Sequence, residues 1–367
     1  MATHIGRSAA SETVFYPTNI EHRRDPRKMS EAILVGGATC AKLRTPATEL
    51  EEIMSDNSVN AIEVVPSGAA LGAEVRGIDF AKPVPRDVAD RLQQIWTEHL
   101  VLLFRGKKLS DEQLLAVTDI FGGSQAAKSR EFYMQAGFEV GSDRVNKHAG
   151  ITLISNLDDD GKPVLKNASV GSLELNWHTD NSYTEVPPAG TLLNAHEVPS
   201  DGGGDTSFAN LYRAYDTLPE DLKNIIYGKH QRHDISRSTS GTMRAGFEAP
   251  RTRDDVQGPV HPLARIHPVT GRNALYLGRQ GPWPASYILE LDDAESQDTM
   301  RRLWTHATTD DLVWTHKWAV GDMLLWDNRC VMHHRTPVDP TQRRVMHRAL
   351  IKGEPLISAW EDHAAAE

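Results

Sequence analysis

In the second half of this chain, apolar residues come in short runs closed off by turn residues, as in HPLARIHP, NALYLG, DMLLW and RVMHRALI. Runs of that length fill a strand but not a helix, and closely spaced Gly, Pro and Asn between them imply antiparallel neighbours. Few helical stretches interrupt the pattern. It predicts a mainly β chain with flanking helices, an antiparallel sandwich or jelly roll with the helices packed on its outside. A length of 367 residues is enough to bury a sizeable core.

The first part of the chain is organised differently. Residues 1–58 mix charges, Pro and Ser without periodicity, so an N-terminal arm, partly ordered, is expected there. A single domain is expected over residues 59–360. It opens with two short strands, AIEVVP and AEVRGI. Val88, Leu92, Ile95 and Trp96 then recur at helical spacing and predict a helix from about Arg86 to His99. LVLLF (Leu100 to Phe104) follows as a buried strand. Ser110 and Gln113 form a capping box for a helix carrying Leu114, Leu115, Val117 and Phe121, stopped by Gly122 and Gly123. Thr217 and Glu220 repeat the same signal and predict a helix through Ile226. Val269 to Arg272 reads as a hairpin turn, and Met300, Leu303 and Trp304 mark one more helix. Two polar, irregular stretches, 124–176 and 229–260, are long enough to be active-site loops or a lid.

Composition narrows the function. A formal charge of −10 argues against nucleic acid as a partner, and no apolar run approaches the roughly 20 residues that cross a bilayer. Only Cys40 and Cys330 are present, so no disulfide framework is expected. With no apolar stretch at the start to act as a secretory signal, a reducing cytoplasm is the expected location.

Three segments carry chemistry. In Asn176-Trp177-His178-Thr179-Asp180 an extended backbone lets His178 and Asp180 point at one spot, a mixed nitrogen and oxygen donor set suited to a first-row divalent metal. On its own a His-x-Asp is more often an unrelated surface pair. The second segment, Trp326 to His333, follows a strand that would deliver His333 to the sheet rim. His178, Asp180 and His333 then complete a two-His-one-carboxylate triad with three adjacent positions open. His334 is the rival ligand, facing the other way if the backbone is extended. Asp327 and Asn328 are candidates to orient His333. The third segment is Arg343 to Arg348. Period-two alternation puts Arg344, Met346 and Arg348 on one face. Two inward guanidiniums need an anion to neutralise them, and a carboxylate matches their planar fork. The alternative is a solvated basic edge strand, which the following Ala349-Leu350-Ile351 argues against.

Other residues are read as structural: Trp177, Trp318 and Trp326 as packing, and His230, His233, His261 and His267 as framework rather than a second metal cluster. Gly202, Gly203 and Gly204 form a turn, with no Lys-Ser or Lys-Thr after them to make a phosphate cradle.

In order and spacing, WHTD, GGGDTSFANLYRAYDTLP, HPLARIHPVTGRNALYLG, WDNRCVMHHRTP and RRVMHR resemble the TauD/TfdA family, the taurine and 2,4-dichlorophenoxyacetate dioxygenases, across about residues 61 to 355. The resemblance implies a double-stranded β-helix (cupin-like jelly roll) core with Fe(II) held by His178, Asp180 and His333. It also implies that Thr206 and Arg344 bind the distal carboxylate of 2-oxoglutarate, and that Arg348 lies near co-substrate and substrate. The expected reaction consumes dioxygen, is stimulated by ascorbate, releases succinate and CO2, and hydroxylates a small molecule, a carboxylate or a sulfonate. Residues that grip taurine have no clear counterparts, with Glu174 and Asn176 the nearest candidates for substrate contact. Dimers or tetramers are common in the family. Two rivals remain: a zinc hydrolase built on the same triad, and a non-catalytic ligand-binding member of the fold. The first leaves Arg344 and Arg348 without a task.

Overall fold

The computed structural model describes residues 57–142, 144–167, 170–200 and 202–360. The arm expected over residues 1–58 falls almost wholly outside them, as does Cys40. Eighteen strands appear among the described residues. The first half contributes β1 (Glu63–Pro66), β2 (Ala73–Arg76), β3 (Val101–Phe104), β4 (Ser124–Gln125), β5 (Ile151–Ser155), β6 (Leu175–His178), β7 (Gly190–Glu197) and β8 (Thr206–Asn210). Short strands β9 (His230–His233), β10 (Val260–Pro262), β11 (Ala264–Ile266), β12 (Asn273–Leu275) and β13 (Ser286–Ile288) come next. The chain closes with β14 (Val313–His316), β15 (Met323–Asp327), β16 (Val331–Arg335), β17 (Val345–Ile351) and β18 (Ile357–Ser358).

Two sheets build the jelly roll. The larger runs β1-β2-β3-β15-β7-β17-β4, with β5 also paired to β17, and the smaller runs β14-β8-β16-β6. All these pairs are antiparallel except β2 with β3. Alternation along β15 shows how the layers form. Leu324 and Trp326 join Phe208, Ala209 and Met332 of the smaller sheet in one core, while Met323 and Leu325 turn to the opposite face. That opposite face is covered by α1 (Arg86–His99) and α2 (Asp111–Ile120), which bury Val88, Leu92, Ile95 and Leu114 against it. A strand apolar on both faces is what such a sandwiched sheet requires.

Local signals explain some of the helix ends, with side-chain caps at Ser110, Asn210 and Asp292. The Ser110–Gln113 capping box is present in both directions. Further along lie α3 (Ser129–Gln135), α4 (Leu211–Asp216), α5 (Glu220–Ile226) and α6 (Asp293–Ala307). Thr217 does not start α5. It ends α4 instead, with its hydroxyl donating to the Arg213 carbonyl at 2.7 Å, and α5 begins after Pro219. The expected hairpin is present, β11 pairing with β12 around Gly271 at φ +68°.

Candidate active site

The site lies between the two sheets, where β6, β8 and β16 meet the inner face of β7 and β17. His333 on β16 is the register partner of His178 at the end of β6, and their rings stand 4.0 Å apart between centroids. Between this pair and the next, Arg335 with Leu175, the register shifts, so three residues of β6 oppose two of β16. This bulge turns both Leu175 and His178 inward and leaves Asn176 exposed between them. Donor atoms of His178, Asp180 and His333 all lie within 4.8 Å of one another, and all three residues are buried.

Each donor is held from behind. His178 Nδ1–H donates to its own strand's Asn176 carbonyl at 2.7 Å, so Nε2 faces the cluster, 3.8 Å from Asp180 Oδ1. Asp180 Oδ2 accepts from the Thr191 hydroxyl at 2.8 Å, and Asn328 Nδ2 donates in turn to that hydroxyl at 2.9 Å. Arg348 Nη1 lies 3.3 Å from Asp180 Oδ1. His333 rests on Trp326, with ring centroids 4.8 Å apart, and its buried Nδ1 has no hydrogen-bond partner among the described residues.

Electrostatics favour a cation at this point. Burial pushes both imidazoles below their ordinary value, most strongly at His333, where His178 adds to the effect, so they present neutral lone pairs. Burial opposes ionisation of Asp180, yet its carboxyl stays below its usual range, with the Arg348 guanidinium the foremost opposing cause. Two neutral imidazoles and one carboxylate, their donor atoms gathered within 4.8 Å, fit a divalent metal of the first row.

A cavity of about 290 Å³ opens from the triad. At one end Thr206 accepts a hydrogen bond from Trp318 Nε1 at 2.9 Å, and Arg344 lies over that indole, 6.0 Å from its centre. Gly204, at φ +67°, leaves the space Arg344 occupies, since a Cβ there would stand 2.8 Å from Arg344 Nε. Burial pushes the Arg344 guanidinium down to about 10. Arg335 lines the same end. Burial, with Arg344 as the lesser cause, strongly disfavours its charge too. The remaining walls are apolar and aromatic, with Phe132, Tyr133 and Phe138 on one side and Ile154, Leu175 and Leu193 on another. Residues of both long loops contribute. Arg244 joins them, its guanidinium 4.0 Å from the Tyr183 ring centre and 4.8 Å from that of Phe132.

Several sequence-derived candidates lie elsewhere. Glu174 pairs with His334 Nε2 at 2.6 Å on an exposed edge, so neither reaches the cavity. Asn176 shares period-two parity with His178, and the bulge takes it out. Asp327 does not orient His333. It accepts from His267 Nε2 at 3.0 Å and from Arg329 at 2.8 and 2.7 Å, a buried ion pair. His267, Asp327 and Cys330 form a second close group, but His267 Nδ1 accepts from the Val269 and Thr270 amides. That leaves no free lone pair for a cation. His233 and His261 are buried framework residues beside Tyr276, and His230 pairs with Glu290. Thr191, Asn181, Tyr183, Arg244 and Arg335 were not anticipated. Parity with His333 on β16 was the available signal for Arg335, whereas the others carry no motif.

Comparison with known proteins agrees with this geometry. The family model described as "Taurine catabolism dioxygenase TauD, TfdA family" matches residues 63–350. The (S)-phenoxypropionate/alpha-ketoglutarate-dioxygenase of Sphingobium herbicidovorans is 34% identical over 303 residues, covering 80% of this chain and 96% of that protein. Pentalenolactone F synthase of Streptomyces avermitilis is 31% identical over 316 residues, covering 82% and 96%. The crystal structure of AAD-2 in complex with Mn(II) and N-oxalylglycine superposes with a TM-score of 0.65 at 28% identity, covering 81% of this chain and 99% of that one. On these grounds the chain belongs to the TauD/TfdA family and is an iron- and 2-oxoglutarate-dependent dioxygenase.

Proposed function

We propose that His178, Asp180 and His333 hold Fe(II), that Arg344 and Thr206 bind the distal carboxylate of 2-oxoglutarate, and that the enzyme hydroxylates a small anionic molecule with an apolar or aromatic body. The carrying observation is the make-up of one cavity: a buried His-Asp-His cluster beside the buried Arg344 guanidinium, whose hydrogen bond goes to the Gly204 carbonyl and not to a carboxylate. A zinc hydrolase needs the cluster but has no use for that guanidinium, whereas a dicarboxylic co-substrate needs both.

The chemistry supplied there, once iron and 2-oxoglutarate are bound, is reduction of dioxygen coupled to decarboxylation of the keto acid to succinate. The protein's own part is placement and exclusion of water. Thr191 and Asn328 fix the carboxylate of Asp180. Thr206, itself held by Trp318, and Arg344 set the depth of the co-substrate. The substrate's body lies against Phe132, Tyr133, Phe138 and Tyr183. Its anion is placed near the outer edge of Arg348, and the buried Asn181 Nδ2, which has no partner among the described residues, offers a further donor.

Relatives named for a phenoxypropionate, for pentalenolactone F and for a sulfate ester support an anionic or oxygenated substrate without choosing one. Succinate release from the iron-loaded protein, with ascorbate to keep iron reduced, should rise when the right acid is added from a panel of aryloxyalkanoates, sulfonates and sulfate esters. An iron-loaded preparation that never consumes 2-oxoglutarate with or without these acids would end the proposal.

A further inference from the structure

Two guanidiniums, not one, face the end of the cavity where Thr206 lies. Arg335 stands two residues after His333 on β16, so both side chains leave the strand on the same side. Its partner across the sheet is Thr206 itself. The residue is 3% exposed and lines the cavity together with Thr206 and Arg344. Its Nη2 donates to the carbonyls of Gly171, at 3.2 Å, and Leu173. Its Nε is buried with no partner, and no carboxylate among the described residues pairs with it. Arg344 has an orphaned Nε and a single guanidinium bond, 3.4 Å long, to the Gly204 carbonyl, with Asp205 acting on its charge from beyond ion-pair distance. Carbonyl oxygens satisfy donors but do not cancel a full charge, so neither guanidinium has an ion-pair partner until an anion arrives. Arg348 is less available for that anion, because its Nη1 already faces Asp180.

Given the co-substrate site proposed above, we propose that Arg335 is a second cationic contact for the distal carboxylate of 2-oxoglutarate, acting with Arg344 and Thr206 to select dicarboxylic keto acids. A purely architectural role, tying the 171–173 segment to the barrel, accounts for the two carbonyl bonds. It does not account for the orphaned Nε or for the cation's place opposite Thr206.

The test compares two ligands in one preparation. Oxygen-free, Mn(II)-loaded protein is titrated calorimetrically with 2-oxoglutarate and with 2-oxopentanoate, which has the same keto-acid end but a methyl group in place of the distal carboxylate. Wild type should prefer 2-oxoglutarate by about a hundredfold or more. Arg335→Gln keeps donors for the Gly171 and Leu173 carbonyls and should lower that preference about tenfold, with 2-oxopentanoate binding unchanged. Arg335→Lys keeps the charge without the fork and should lower it about threefold. A ratio measured within one preparation is insensitive to the fraction of protein that folds. If Arg335→Gln does not fold, the lysine variant decides. An unchanged ratio, or equal weakening of both ligands, overturns the role. A wild-type protein with no preference, together with an Arg344→Gln variant whose ratio does not move, would instead refute the co-substrate site itself.

Discussion

Arg348 Nη1 and Asp180 Oδ1 stand 3.3 Å apart, and that same oxygen faces the Nε2 of His178. The guanidinium therefore occupies part of the electrostatic role a metal would take. Arg348→Ala should destabilise the metal-free protein by about 3 kcal/mol, because it strands a buried carboxylate. Loading with Mn(II) should recover much of this, so the metal-induced rise in melting temperature should be larger in the variant than in wild type. Equal rises in the two proteins would show that the pair carries no such weight.

Thr191 and Asn328 reach the proposed metal site only through Asp180. Thr191→Val removes the hydroxyl that donates to Oδ2 while keeping the volume, and should weaken metal binding about 10- to 100-fold in a chelator competition. Asn328→Ala should do the same to a smaller degree. Unaltered affinity in Thr191→Val would mean that Asp180 is fixed by its backbone alone.

Arg344→Ala should raise the KM for 2-oxoglutarate about 10- to 100-fold, the value of a charge-assisted hydrogen bond, with kcat at saturating co-substrate far less affected. Steady-state kinetics with 2-oxoglutarate varied at fixed substrate decide this. A KM that stays put removes Arg344 from the co-substrate site.

His196 gives the fold a sensitivity to acid away from the site. Its ring stacks on His347, 3.7 Å between centroids, and its Nε2 is buried without a partner among the described residues. Burial, then the charges of His347 and Lys108, push it down to about 4, although Asp111 and the Leu109 backbone act in the other direction. In the unfolded chain it titrates near 6.5. Above about pH 6.5 both states are neutral and nothing is lost. Between about 6.5 and 4 only the unfolded chain takes up the proton, so stability falls as the pH drops. His196→Gln should show a smaller fall in melting temperature from pH 7 to pH 5 than wild type does. Parallel curves would remove His196 as the cause.

What the sequence revealed and what it hid have physical reasons. The apolar residues of α1 recur with the helical period, and Arg86–His99 is visible from them alone. The central strand β7 escaped notice because Thr191 and Asn194 interrupt its apolar run. Both are buried and hydrogen-bonded across the fold, Asn194 to Leu109, Lys107 and Asp322. Such polar residues look like surface until their partners, here far away in the chain, are known. Thr217 met the rule for starting one helix while ending another, since a hydroxyl close to Pro can serve either end. Among the site residues, those in contiguous motifs were legible. Arg335, Arg244 and Thr191 owe their places to strand register and loop closure, which motif spacing does not encode.

The extra residue in β6 has a consequence for how this enzyme tolerates change. Leu175 and His178 lie three apart, so a regular strand would send them to opposite faces, and the bulge reconciles them. Removing one residue between them would make the strand regular and leave His178 across from His333. At this point in the chain a lost residue relieves an irregularity instead of dismantling the cluster.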